Sequence, residues 1–221
     1  MRTERAVSHA HIIMKIFSID SPLYRGLTKI RDIFVLNLCW LIGSLPLVTI
    51  GVSCVAASDV ALKMADEEEG YIARQFFRAY KVNLRQGIPL GIIMAVCCYI
   101  VYLDFEFVRA SEKGSILLIV TGCVTAFVFL FSFLYAPALT ARYVNTLPKI
   151  LRNSFRISMK FFFRSVLTVL FVGIEVAAIL WNYTTMFAGL LMGPALITCT
   201  ICAMAKPVFK KLENEEKEKT V

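Results

Sequence analysis

The chain has 221 residues, of which 58% are hydrophobic and 18% are charged, and its formal net charge is +8. Soluble domains are less apolar, and about a quarter of their residues are charged, so this composition excludes an ordinary water-soluble globular protein. The apolar residues fall into long uncharged stretches separated by clusters of Lys and Arg. This arrangement is typical of an all-α membrane protein whose helices cross the bilayer several times.

The first apolar stretch, 33–62, follows a segment, 10–31, that we expect to lie as a helix on the membrane surface. As one helix the stretch would extend about 45 Å, which is more than a single crossing needs. Pro46, Thr49 and Gly51 lie near its middle, where proline removes a helical hydrogen bond and glycine readily adopts turn angles. We therefore predict a broken first hairpin. We place its turn at the outer surface, with a re-entrant hairpin that stops halfway as the alternative.

The later apolar stretches predict four further crossings. Stretches 86–103 and 115–141 each suit one helix, and 165–205 suits two helices separated by an interfacial Trp-Asn-Tyr-Thr cluster. With the first hairpin, this gives six membrane-embedded helices. We assign them to a single integral membrane domain, 1–210, followed by a charged cytoplasmic tail, 211–221.

The distribution of Lys and Arg predicts the orientation. These residues are concentrated in segments 1–32, 63–87, 142–164 and 206–221, whereas the connections between them hold few or none. The positive-inside rule assigns these four segments to the cytoplasmic side, so both termini are expected in the cytoplasm of a multi-pass cell-membrane protein. Because this rule already explains the positive charge, nucleic acid is not an expected partner.

Two of these segments predict basic cytoplasmic helices, at 74–86 and 149–164. Their cationic side chains recur at helical spacing, so they share one face and are candidates for contact with lipid headgroups or a partner protein. They are Arg74, Arg78, Lys81 and Arg85 in the first helix, and Arg152, Arg156 and Lys160 in the second.

Polar residues within the apolar stretches are candidate functional groups because they are costly in a bilayer. Glu175 has no other charged residue nearby in the sequence, and it either carries a proton or cation or forms a neutral hydrogen bond to another helix. Asp59 and Lys63 are four residues apart, which predicts an ion pair on one helix. Asn37 is expected to form an interhelical hydrogen bond.

No pattern predicts catalysis or a cofactor. His9 and His11 lie outside the apolar stretches, and the sequence contains neither a phosphate-binding P-loop motif nor a Gly-x-Gly-x-x-Gly motif. We therefore expect a non-enzymatic protein without a metal site. The spacings Gly87-x-x-x-Gly91 and Gly189-x-x-x-Gly193 allow close helix contact, either within the chain or in a homo-oligomer.

A resemblance to a known family rests on three patterns. They are Asn37-x-x-Trp40, Pro46-x-x-Thr49-Ile50-Gly51 and Phe76-x-x-x-Tyr80-Lys81-x-Asn83. With these patterns the chain resembles the YesL family, small membrane proteins of Firmicutes that are defined as a domain of unknown function. One local departure follows Gly51, where this chain has Ser-Cys-Val-Ala-Ala.

The resemblance implies a connection with carbohydrate transport, because genes of the YesL family commonly lie beside carbohydrate importers of the ABC type. It implies no catalytic residues. Two hypotheses follow. In the first, the protein is an accessory of such an importer; in the second, it is itself a transporter or channel that uses Glu175 and the helix break between Pro46 and Gly51.

Overall fold

A computed structural model describes residues 22–66, 70–110 and 116–220. Within these ranges all regular secondary structure is helical, which confirms the predicted all-α class. The helices are α1 (Pro22–Ser44), α2 (Ile50–Ala65), α3 (Ile72–Ala110), α4 (Ile116–Phe133), α5 (Ala136–Arg142), α6 (Leu147–Lys160), α7 (Phe162–Leu180) and α8 (Tyr183–Thr220). Residues 10–21 of the predicted surface helix lie outside the described part of the chain.

Five helical segments in the described ranges are long and apolar enough to cross a membrane, so the protein has the helices of a polytopic membrane protein. They are Leu47–Ala65, Ile72–Ala110, Ile116–Arg142, Phe162–Leu180 and Tyr183–Glu215. The sixth predicted helix, α1, does not qualify, because charged residues occupy its first half and its uncharged part, 33–44, extends only about 18 Å.

The predicted break in the first hairpin is confirmed. Helix α1 ends at Ser44, a short 3-10 turn covers Leu47–Thr49, and α2 begins at Ile50. Gly51 then lies against the backbone of Gly87 and Gly91 of α3, near the start of the uncharged part of that helix. The uncharged part of α3 ends at residue 103, which is about 18 Å along the helix from Gly91 and therefore from the turn. This packing favours a hairpin that stops partway over the predicted turn at the outer surface.

Helix α2 occupies the centre of the molecule. It contacts α1, α3, α5 and α8, and most of its residues are buried. Small side chains such as Ser53, Ala56 and Ala57 let these neighbours approach closely. The apolar side chains of α2 therefore pack in the protein interior, although the hydropathy of this segment is high enough for a membrane span.

The three described basic segments meet at one end of the molecule, here called the basic end. Lys206 forms an ion pair of 2.7 Å with Asp66, and Arg142 forms one of 2.9 Å with Glu213. Lys160 pairs with Glu215 further along α8. Segments 63–87, 142–164 and 206–215 therefore lie on the same side, as the charge distribution predicts.

The predicted basic helices and tail are parts of longer elements. The segment 74–86 is the first third of α3, which continues without a break to Ala110, whereas most of 149–164 forms α6, a separate helix that ends at Lys160. The predicted tail continues α8 as a helix to Thr220.

Candidate functional site

A cleft of about 680 Å³ lies at the basic end between α2, α3 and α5, and we call it the basic cleft. Its charged lining consists of Asp59 and Lys63 from α2, Arg78 and Arg85 from α3, and Arg142 from α5. Four cations and one carboxylate therefore line the cleft from three helices, of which α5 is distant in sequence from the other two.

Two of the four cations in the basic cleft form ion pairs, and the other two form none within the described residues. Lys63 Nζ donates a hydrogen bond of 2.5 Å to Asp59 Oδ2, and Arg142 is paired with Glu213 outside the cleft. Arg78 and Arg85 are exposed, and neither has an ion pair or hydrogen bond within the described residues. Among the described residues, these two guanidinium groups give the cleft an excess of positive charge.

The outward side of the same part of α3 carries a second basic surface, here called the basic face. Arg74, Phe77 and Lys81 are exposed there and, together with Arg78, line a shallow depression. Arg74 and Lys81 do not line the basic cleft. The four cations predicted to share one face thus serve two adjoining surfaces: Arg85 lines the cleft, Arg74 and Lys81 the basic face, and Arg78 both.

The second predicted basic helix has a different environment. Lys160 pairs with Glu215, and Arg156 lines a separate cavity of about 440 Å³ together with Tyr143 and Glu213. Arg152 is exposed. Part of the charge of α6 is therefore neutralised by α8 within the same chain.

Asn37 compensates for a hydrogen bond that α8 lacks at Pro194. Its side chain is fully buried; Nδ2 donates 2.9 Å to the carbonyl of Leu190, and Oδ1 accepts 3.1 Å from the N–H of Ala195. Leu190 is four residues before Pro194, which has no N–H to bond to that carbonyl. Asn37 thus supplies the donor that the proline lacks and joins α1 to α8.

Threonine hydroxyls also bond to backbone carbonyls near two other prolines, Pro46 and Pro137. Thr49 Oγ1 bonds to the carbonyls of Pro46 at 2.7 Å and Gly43 at 2.8 Å, and the Gly43 carbonyl also accepts 3.1 Å from Tyr80 Oη. Thr140 bonds to the carbonyl of Ala136 beside Pro137. The hydroxyls of Thr49 and Tyr80 therefore hold the turn together, whereas the buried hydroxyls of Ser44 and Ser53 have no hydrogen-bond partner among the described residues.

Glu175 lies between α7 and α8. Its Oε1 accepts a hydrogen bond of 2.5 Å from Thr200 Oγ1, while its Oε2 is buried without a hydrogen-bond partner in the described part of the protein. No hydrogen bond among the described residues joins Glu175, Asn37 and the Asp59–Lys63 pair. The described hydrogen bonds therefore do not join these predicted polar residues into one network.

The glycine spacings serve contacts within the chain. A Cβ atom on Gly87 would lie 2.6 Å from the Cα of Val52 in α2, and one on Gly189 would lie 2.4 Å from the side chain of Ile179 in α7. Both close approaches are internal, so neither spacing is free to form a dimer interface in this arrangement.

Arg142 is the functional candidate that the sequence interpretation missed. It lies just after an apolar stretch and was counted only toward the orientation of the chain. Helix α4 ends at Phe133 and α5 begins at Ala136, just before Pro137, so the chain turns and carries Arg142 to the basic cleft. Pro137 was the only signal of this change in direction.

Comparison with known proteins gives one match. Residues 33–105 match the family described as "Protein of unknown function, DUF624". No curated protein and no solved structure matches the chain. The matched region contains α2, the basic face and four of the five charged residues of the basic cleft, but neither Arg142 nor Glu175.

Proposed function

We propose that this protein is a non-enzymatic accessory of a carbohydrate importer of the ABC type, and that its basic face contacts the importer. The observation that carries this proposal is the exposed position of Arg74, Phe77 and Lys81 on α3, a helix that packs closely against the central helix α2. The carbohydrate importer as partner comes from the resemblance to the YesL family.

The chemistry of the basic face suits an acidic protein surface. Arginine and aromatic side chains are enriched in protein interfaces, and complementary charge accelerates association and fixes orientation. The close contact of α3 with α2 through Gly51, Gly87 and Gly91 keeps this face in a fixed position. A partner would therefore meet a preformed surface, which lowers the entropic cost of binding.

The polar groups of the apolar region support a non-enzymatic role. Asn37, Thr49 and Thr140 are engaged in hydrogen bonds to backbone groups beside prolines. These side chains therefore have a structural use that needs no substrate.

Co-purification from native membranes tests the proposal. We expect the tagged protein to recover importer subunits and the double variant Arg74→Glu/Lys81→Glu to recover about tenfold less, because like-charge contacts weaken binding. The matched control Lys149→Glu/Lys210→Glu reverses two exposed charges at the same end and should recover as much as the unmodified chain. Absence of every importer subunit from the unmodified sample would refute the assignment.

A transporter or channel is the second candidate, and the buried, unpartnered Oε2 atom of Glu175 favours it. An unsatisfied carboxylate oxygen in a bilayer is costly, so a proton or cation at this position would stabilise it. Ion or solute flux into liposomes that contain the purified protein tests this role. Flux that is unchanged by Glu175→Gln would exclude Glu175 from the pathway.

A further inference from the structure

The basic cleft has the composition of an anion site. Asp59 offsets the charge of Lys63 and Glu213 offsets that of Arg142, which leaves the guanidinium groups of Arg78 and Arg85 uncompensated within the described residues. Arginine presents paired N–H donors that match the oxygens of a phosphate group. The excess charge and the donor geometry therefore both select a phosphate-bearing anion.

The size of the cleft and its other donors fit such a ligand. A volume of about 680 Å³ lies within the range of small-molecule sites, roughly 300–1,000 Å³. Gln75 and Gln86 of α3 also line the cleft, and their amide groups donate and accept hydrogen bonds. Neutral donors beside two arginines are suited to the oxygens and hydroxyl groups of a phosphate ester.

The position of the cleft brings it close to the apolar surface of the protein. Arg85 and Gln86 immediately precede the uncharged part of α3, and the exposed side chains of Val82 and Val144 also line the cleft. A phosphate bound there would lie where a lipid headgroup meets its hydrocarbon chains.

We propose that the basic cleft is a binding site for the phosphate group of an anionic ligand, either a membrane lipid headgroup or a free phosphate ester. Arg78 and Arg85 bind the phosphate oxygens, and the Asp59–Lys63 and Arg142–Glu213 pairs form the walls. The cleft adjoins the proposed importer contact and shares Arg78 and Gln75 with it, whereas Arg74 and Lys81 line the basic face and not the cleft.

The test uses the full chain purified in a neutral detergent. One arm adds phosphatidylglycerol, with phosphatidylcholine as the neutral comparison, and counts bound lipids by native mass spectrometry. The other arm adds inorganic phosphate or glycerol phosphate and measures binding by calorimetry. Binding in the second arm identifies a free phosphate as sufficient, whereas binding of phosphatidylglycerol alone identifies a lipid headgroup.

The double variant Arg78→Gln/Arg85→Gln should reduce this binding about tenfold, as expected for loss of hydrogen bonds from charged donors. Both side chains are exposed and make no internal ion pair in the described chain, so the fold should be retained. The control Lys149→Gln/Lys210→Gln removes the same charge from the same end and should bind normally. Equal loss in both variants, or no binding of either probe to the unmodified protein, would overturn the proposal whether or not an importer co-purifies.

Discussion

The segments that contain helix α2 and helix α4 both meet the length and hydropathy criteria for a membrane span, but the two helices have opposite surroundings. In the most apolar part of each segment, 56% of the residues are buried in the span that contains α2 and only 6% in the one that contains α4. Helix α2 contains four Ala and two Ser, whereas α4 contains four Phe and three Leu. Small residues permit close contact between helices, while large apolar residues provide surface for lipid.

This difference shows that the apolar composition of a helix indicates only that little water surrounds it. Whether protein or lipid replaces the water depends on side-chain size and on the neighbouring helices. If this interpretation is correct, substitutions in the contacts of α2 should be far more damaging than substitutions on the peripheral helices.

The largest effect is expected for Gly51→Ala. The added Cβ would lie 2.3 Å from the Gly87 carbonyl oxygen and 2.5 Å from the Gly91 Cα, so two backbones would have to separate. We expect a loss of about 3 kcal/mol or more in the free energy of unfolding, at the upper end for overpacking. Thermal unfolding in detergent provides the measurement.

The control for this prediction is Gly173→Ala on α7, where an added Cβ meets no atom within 4 Å. This change should be neutral or slightly stabilising, since alanine favours helix formation. Similar losses for both variants would show that α2 is not held by close contact.

An intermediate effect is expected for Asn37→Ala, which leaves the Leu190 carbonyl and the Ala195 N–H without their partner. We expect a loss of about 1–3 kcal/mol from these buried groups. In a Pro194→Ala background the helix can form its own hydrogen bonds, so the same substitution should cost less. A double-mutant cycle measured by unfolding in detergent tests this. An equal loss of unfolding free energy in both backgrounds would contradict the claim that Asn37 replaces the hydrogen bond missing at Pro194.

The smallest effect is expected for Leu170→Ala on the exposed face of α7. Leu170 is 56% exposed, so its removal leaves no internal cavity and should change the free energy of unfolding by less than about 0.5 kcal/mol. Leu36→Ala provides the comparison, because Leu36 is fully buried against α2 and its loss should cost about 2–5 kcal/mol. Equal melting temperatures for these two variants would contradict the expectation that substitutions in the buried contacts of α2 are more damaging than substitutions on the peripheral helices.

The sequence predicted much of this fold because charge and proline act locally. The apolar stretches corresponding to α4, α7 and the apolar parts of α3 and α8 were identified from the spacing of charged residues alone. The break between Pro46 and Gly51 follows from the backbone properties of those two residues. The common position of the basic segments follows from the cost of moving Lys and Arg across a bilayer.

The remaining features depend on contacts between distant residues. The sequence does not show that the basic segment 74–86 and the apolar stretch 86–103 form one continuous helix, α3. It also does not show that four helices enclose α2. Nor does it show that Arg142 joins Arg78 and Arg85, because that requires the turn before Pro137 and the packing of α5 on α2 and α3. Sequence periodicity describes one helix at a time, whereas the basic cleft is formed by side chains from three helices.

The glycine contact between α2 and α3 also limits how the molecule can move. With Gly51 seated between Gly87 and Gly91, sliding one helix along the other would bring the side chain of a neighbouring residue such as Val52 into a space that accepts only hydrogen atoms. The contact therefore opposes sliding of α2 along α3. We expect a conformational change that accompanies function to take place at other helix boundaries, and a disulfide engineered across the α2–α3 contact should leave it unhindered.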